Sequence, residues 1–329
     1  MKGINHNVRL TSAEIANLWS QYVNDSMSIC VLSYYLKNVQ DKEIRSILEF
    51  ALGLAETHIE KIKVFLKNEN YPIPLAFSKD DVNLDAPPLF SDTFMLVYIH
   101  IMSIHGLTGY AGAVSTSIRL DQVSYFIKCN TDTMELYKRI IDLMLEKGIL
   151  IRPPHINAPD KVDFIKKQSF LTGWFGDRRP LNAIEVSGIF FNMQKNVIKI
   201  VLEIGFSQVA ESKEIRDYIK RGEQICDKHF DTFSSILSES NLPSPPKFDS
   251  EVSSSTVSPF SDKLLLFHIV TLISTASGYY GAAFSLSQRR DLAAKYSLLI
   301  GDISKYAEDG VNIMIDRGWM EQPPTFDDR

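Results

Sequence analysis

Amphipathic stretches alternate along the chain with two long stretches that carry no charge. From Lys42 onward, apolar residues recur at helical spacing through Ile44, Leu48, Ala51, Ala55, Ile62 and Phe65, an apolar stripe on an otherwise polar helix. Between Asp92 and Arg119, and again between Lys263 and Arg289, no Asp, Glu, Lys or Arg occurs. Each gap is long enough to span a bilayer, yet each contains His, Gly and several Ser or Thr. A helix apolar on every side is equally the innermost member of a soluble bundle, covered by amphipathic partners. Such partners surround both gaps, so the pattern predicts buried core helices and no membrane span.

The pattern occurs twice. KEIRSILEFALGLAETHIEKI from Lys42 runs beside KEIRDYIKRGEQICDKHFDTF from Lys213, which sets His58 on His229 and Pro72 and Pro74 on Pro243 and Pro245. After one deleted residue the register continues ungapped: Phe90, Ser91 and Asp92 fall on Phe260, Ser261 and Asp262, Arg119 and Asp121 on Arg289 and Asp291, and Gly148 on Gly318. The chain is a tandem duplication, and a repeat fixes architecture before any motif does. Within it, LTGYAGAVSTSIRLD (107–121) and SGYYGAAFSLSQRRD (277–291) correspond, but their glycines do not align. A phosphate loop needs each glycine at a fixed place. The shift predicts a helix whose small residues let neighbours pack closely.

Each half reads as four helices. Thr11 with Glu14, and Asn182 with Glu185, form capping boxes, flanked by Leu10 and Ile15 or Leu181 and Val186 as hydrophobic staples. Asp41 and Ser212 are suited to cap the second helix, which ends before the proline pairs. A link of about twenty residues then follows, able to reach roughly 65 Å. A helix of about 26 residues is only about 40 Å long, so the link can cross the bundle. The third helix follows Ser91 or Ser261, and the fourth starts near Asp121 or Asp291, placed to cap it, and closes at Gly148 or Gly318. Two helices, a long crossover and two more helices predict an all-α protein of two tandem ferritin-like four-helix bundles. The expected division is residues 1–156, an aromatic-rich linker 157–180, and 181–329, with the two bundles paired about a pseudo-twofold axis. The linker aromatics Phe164, Phe170, Trp174 and Phe175 predict a segment packed against the protein rather than a free tether.

RPLN at 179–182, KQSFLTGW at 167–174, PFSDKLLLFH at 259–268 and IMIDRGWMEQPP at 313–324 together resemble the tandem DUF3231 family of spore-forming Bacillus-type bacteria. The resemblance covers nearly the whole chain. It implies a ferritin-like fold, kinship with spore coat F-like proteins and a link to sporulation, and it supplies no catalytic residue.

Bulk composition narrows the partners. The 329 residues are 45% hydrophobic, enough for two cores, and the formal charge of -5 offers no field to gather nucleic acid. The basic cluster of Lys166, Lys167, Arg178 and Arg179 reads as a solvated linker surface. Cys30, Cys129 and Cys226 are far apart and form no CxxC pair, which fits a reducing, cytoplasmic setting, and the first residues contain no apolar secretory core.

Candidate chemistry begins with what is missing. Dimetal bundles use ExxH motifs, but Ala55 stands three residues before His58 and Cys226 three before His229. No GxSxG, P-loop or HExxH occurs. His58 and His229 nonetheless continue apolar heptads and are predicted to point inward. Counting along the helices puts Tyr110 and Asp25 at the level of His58, and Tyr280 and Asn196 at the level of His229. Two readings remain open. In the first, Asp25, His58 and Tyr110, echoed by Asn196, His229 and Tyr280, satisfy one another and fix helix register in a non-catalytic structural or interaction protein. Such a protein would have a protein partner or form a homo-oligomer. In the second, the clusters hold a small ligand or a single metal ion such as zinc or manganese, joined by His100 or His268, conceivably in an enzyme. The sequence requires no cofactor.

Overall fold

The computed structural model describes residues 8–174 and 178–326. Eight α-helices occur among them: α1 (Ser12–Asn38), α2 (Lys42–Asn68), α3 (Asp92–Thr116), α4 (Leu120–Glu146), α5 (Ala183–Val209), α6 (Lys213–Glu239), α7 (Asp262–Leu286) and α8 (Arg290–Asp316). The chain therefore folds as two tandem four-helix bundles, α1–α4 and α5–α8, each with a long crossover between its second and third helices. Two compact units form. One comprises Met1–Leu150, Ser253–Leu264 and Arg317–Arg329, and the other Ile151–Val252 and Leu265–Asp316.

Local chemistry explains where the helices begin. Thr11 and Asn182 cap α1 and α5, and both capping boxes close. Asp41 caps α2 by accepting from the backbone of Glu43 and Ile44, while Ser91 caps α3 through Phe94. Three expected caps are corrected, Ser212, Asp121 and Asp291, the last lying inside the first turn of α8 with its carboxylate on the Arg289 guanidinium at 3.0 Å. Ser212 stands at the start of α6 without a side-chain cap bond. Asp121 lies inside the first turn of α4 behind Arg119, and its carboxylate takes the Arg119 guanidinium at 2.7 Å. A guanidinium two residues away competes for the carboxylate that would otherwise cap. At the other end, Gly148 and Gly318 adopt φ of 68° and 65°, the left-handed geometry that lets the chain leave a helix cheaply.

The predicted stripe of α2 is buried throughout, from Ile44 to Phe65. In the first unit α1 packs on α2 and α3 on α4, with α2 against α4 and α1 against α3 closing the bundle. The crossover is anchored to its own unit: Tyr34 donates to the Pro87 carbonyl at 2.6 Å and meets the Phe260 ring edge-on at 5.3 Å. Glu321 accepts from the backbone of Leu75 at 2.8 Å, and Lys263 donates to the Ala76 carbonyl at 2.6 Å.

The uncharged helices are not innermost along their whole length. Phe94 to Ile101 of α3 are all buried, whereas Thr108, Gly109, Ala111 and Gly112 are exposed. A Cβ added at Gly109, Gly112, Gly278 or Gly281 would meet nothing within 4 Å, so these glycines do not serve close packing. Thr108, Ser115 and Thr116 instead turn their hydroxyls back onto carbonyls of the preceding turn, which keeps the face uncharged yet satisfied. By length and composition α3 and α7 could each cross a membrane; 50% of the most apolar window of each is buried. The linker also departs from expectation. Phe164 is 82% and Trp174 56% exposed, because only Phe170 finds a partner, the guanidinium of Arg179 at 4.0 Å. Phe175 lies outside the described residues.

Glu14 is fully buried and accepts four hydrogen bonds: from Thr11 backbone and hydroxyl at 2.7 and 2.9 Å, and from the backbone of Ile118 and Arg119 at 3.0 and 2.8 Å. Burial raises its pKa, but these bonds outweigh burial and hold it below the usual carboxylate range. Glu14→Ala strands several buried donors and is expected to cost about 3 kcal/mol in urea denaturation followed by circular dichroism. Glu14→Gln, which keeps an acceptor, should cost less. Because the folded value is depressed, this stabilisation is present above about pH 4.5 and is lost as pH falls through the folded value.

Candidate functional site

Helix register brings the predicted residues together. In the first bundle, His58 Nδ1 lies 3.2 Å from Asp25 Oδ2 and 3.4 Å from Tyr110 Oη. Gln21 extends the group: its Nε2 donates to Tyr110 Oη at 3.3 Å, and Tyr125 Oη donates to its Oε1 at 3.0 Å. Gln21 Nε2 also reaches the Cys129 thiol at 3.9 Å, which sets that thiol beside the imidazole and favours its charge. In the second bundle, Asn196 Nδ2 donates to Tyr280 Oη at 3.0 Å, and that hydroxyl sits 3.2 Å from His229 Nδ1. The other ring nitrogen of His229 faces Asp302 at 3.6 Å. His58 and His229 are 5% and 0% exposed, so both imidazoles are buried, while Tyr110 and Asp302 are half-buried.

The two histidines titrate in opposite directions. Burial works against charge on His58, but the hydrogen bond and negative charge of Asp25 prevail and push it up to about 10. Burial likewise raises Asp25. Both shifts say that the pair retains one proton through neutral pH, divided between carboxylate and imidazole. In the second bundle Asn196 replaces the carboxylate; burial then dominates, and His229 is pushed down to about 4. One oxygen-for-nitrogen difference between the repeats thus decides the charge of a buried group.

His100 and His268 do not join these clusters. His100 stands 5.6 Å from the Tyr137 ring, and His268 stands 5.6 Å from the Phe206 ring, with its pKa pushed down to about 4 by burial. Among the described residues, no group of three or more His, Cys, Asp or Glu side chains could hold a metal ion.

A further polar cluster lies in the second bundle, and the sequence reading missed it. Lys199 Nζ on α5 contacts Glu203 Oε1 at 2.6 Å and Cys226 Sγ on α6 at 3.2 Å. Tyr306 of α8 stacks on Tyr218 at 4.3 Å, each hydroxyl donating to the other's carbonyl, and lies under the Lys199 ammonium. Gly222 makes room: a Cβ there would stand 2.0 Å from Glu203 Oε1 and 2.1 Å from Tyr306 Oη. Burial pushes Glu203 up to about 7 and Cys226 up to about 12. The signal was in the repeat register, where Lys199, Glu203 and Cys226 fall on Ser28, Leu32 and Ala55.

Asp25→Asn would give the first bundle the amide of the second. His58 should then titrate below 6.5 rather than near 10, as read by imidazole NMR. A raised folded histidine stabilises fully below about pH 6.5 and loses that contribution as pH rises through 10; the depressed His229 stabilises above about 6.5 and loses roughly 3 kcal/mol as pH falls towards 4. Thermal melts of His229→Asn should therefore lose part of the acid sensitivity shown by the parent.

A search of curated proteins finds no match. A solved structure from Bacillus halodurans, described as a "putative spore coat protein", is 18% identical, and the match covers 46% of this chain and 98% of that one with a TM-score of 0.41. The model of the family described as "Protein of unknown function (DUF3231)" matches residues 1–162 and again 169–329. With nearly every residue inside one or other match, the chain belongs to the DUF3231 family as a tandem pair.

Proposed function

We propose that this is a non-catalytic structural protein that works through association with other protein chains. The repeats 1–156 and 181–329 are its working units, and 157–180 is their linker. One observation carries this reading: the inward-facing histidines have partners within the protein. His58 is engaged by Asp25, Tyr110 and Cys129, and His229 by Tyr280 and Asp302. A metal or small ligand would have to displace the contacts made at both Nδ1 atoms, which costs more than it returns unless the site is rebuilt, although Asp25 Oδ2 and His229 Nε2 themselves make no hydrogen bond. The clusters then serve register, holding the first three helices of each bundle at one height.

The surface supports association. Val162, Phe164 and Ile165 on the linker, interrupted by Asp163, are 88%, 82% and 60% exposed. Large exposed apolar side chains in sequence mark contact sites more often than chance. The setting proposed is the cytoplasm or the forming spore, through the family resemblance, without membrane insertion.

Two measurements test the reading. Metal analysis of untagged protein, followed by zinc and manganese titration after chelation, should show no stoichiometric ion and no difference for His58→Ala or His229→Ala. Stoichiometric metal lost in either variant favours the ligand-binding alternative. Replacing Val162, Phe164 and Ile165 together by Ser should abolish any concentration-dependent association seen by sedimentation while leaving the helix content unchanged; association that survives the triple change places the contact elsewhere.

A further inference from the structure

The Lys199, Glu203 and Cys226 cluster is unnecessary for the fold, because the first bundle builds the same place from Ser28, Leu32 and Ala55, with Ile47 and Leu136 where the second has Tyr218 and Tyr306. A buried ion pair returns little stability against its desolvation, and apolar residues of similar size commonly do as well or better. Its presence in one repeat alone therefore calls for a use. Three features limit what that use can be. The amine and thiol are 3.2 Å apart across two helices, an approach suited to bond formation. Glu203 holds the ammonium at 2.6 Å, and through it stands beside the thiol that the same ammonium contacts. Its second oxygen, Oε2, has no protein hydrogen-bond partner and can receive a proton.

We propose that Lys199 and Cys226 form a covalent sulfur–nitrogen crosslink under hydrogen peroxide, with Glu203 as the proton carrier. In the first step the Cys226 thiol passes its proton to Glu203 while sulfur attacks one peroxide oxygen. The O–O bond breaks and water leaves with that proton, so sulfur is oxidised by two electrons to the sulfenic acid and peroxide is reduced. In the second step the Lys199 ammonium gives a proton to Glu203, and the free amine attacks sulfur. The S–O bond breaks and hydroxide departs with a proton as water, leaving an S–N bond. The sum is thiol plus ammonium plus one peroxide giving the sulfenamide, two waters and one proton. A high thiol pKa makes the first step slow without a base at hand. The reaction thus answers sustained exposure rather than a brief pulse. The product ties α5 to α6 and removes the buried ammonium.

The contrast within the molecule gives the controls. Cys30 donates to the Ser78 carbonyl within electrostatic reach of Lys263, and Cys129 lies beside Gln21 and His58; among the described residues neither thiol hydrogen-bonds a lysine. Full-length protein is held in hydrogen peroxide and digested with trypsin, and the peptides are mapped by mass spectrometry before and after dithiothreitol. The expected result is a linked pair of peptides joining Lys199 to Cys226, lighter than their sum by two hydrogens, released by dithiothreitol and absent from Cys226→Ala. That variant should fold, since Ala55 occupies the same place in the first bundle. Lys199→Gln should divert Cys226 to its sulfinic or sulfonic acid. The proposal is overturned if the parent protein gives those acids without a link, or if Cys226 stays reduced while Cys30 and Cys129 oxidise. A link that has kept an oxygen would overturn the direct bond in favour of an oxygen-bridged one. Linked protein should also melt at a higher temperature than reduced protein, and the gain should disappear with dithiothreitol.

Discussion

The bundles are organised from one buried carboxylate in each. Glu14 and Glu185 stand in the first turn of α1 and α5, close their own capping boxes, and also take backbone N–H groups from the turn between the third and fourth helices. A helix end and a distant turn are thereby fixed to the same two oxygens. Everything further along the first helix inherits its height from that clamp. Eleven residues, close to three full turns, separate Glu14 from Asp25 and Glu185 from Asn196, so these groups lie on the same face. Gln21 and Asn192 fall between them on that face. In the second bundle Arg179 adds a bidentate pair to the clamp at 2.8 Å, while Arg289 joins through its backbone as Arg119 does in the first.

On α5 the inward polar face runs further than on α1. Glu185, Asn192, Asn196, Lys199 and Glu203 follow one another at steps of seven, four, three and four residues, all buried, whereas the α1 series turns to Ser28 and Leu32 after Asp25. Duplication supplies the comparison that a single bundle cannot. The same backbone is reached with an ionisable pair at the His level in the first repeat, Asp25 with His58, and further along the first helix in the second, Lys199 with Glu203. Beyond the Glu14 and Glu185 clamps, each of these two pairs is thus buried in one bundle alone. Were either pair demanded by the fold, it would occur in both.

Most of the architecture was legible because it rests on local signals. Helix limits follow from Thr11, Asn182, Asp41, Ser91 and the glycines at 148 and 318, each acting within a few residues of itself. The meeting of Asp25, His58 and Tyr110 was legible too, since it needs only the rise per residue and antiparallel neighbours. What failed was the inference from missing charge to burial along the whole helix. Thr108, Gly109, Ala111 and Gly112 carry no charge and are exposed, because Ser and Thr can satisfy themselves on the preceding turn and so remain neutral at a surface. Asp121 failed as a cap for a related reason: a nearby guanidinium, invisible to a cap rule, claimed its oxygens.

Lys199 and Glu203 were hidden by a different habit of reading. Lys followed by Glu four residues later is the ordinary mark of a solvated helix face, and here the pair is buried. What separates the two cases is phase, not composition. A Lys/Glu pair on the outer face would lie opposite Glu185 and Asn196, whereas this one shares their face. Gly222 gives the same message from across the bundle. A glycine in the middle of α6 costs about 1 kcal/mol against alanine, and its only return is the space taken by the Glu203 carboxylate and the Tyr306 hydroxyl. The first repeat has Ala51 at that place and no carboxylate to accommodate. Side chain and cavity therefore changed together, which is what a retained polar group requires and a tolerated accident does not.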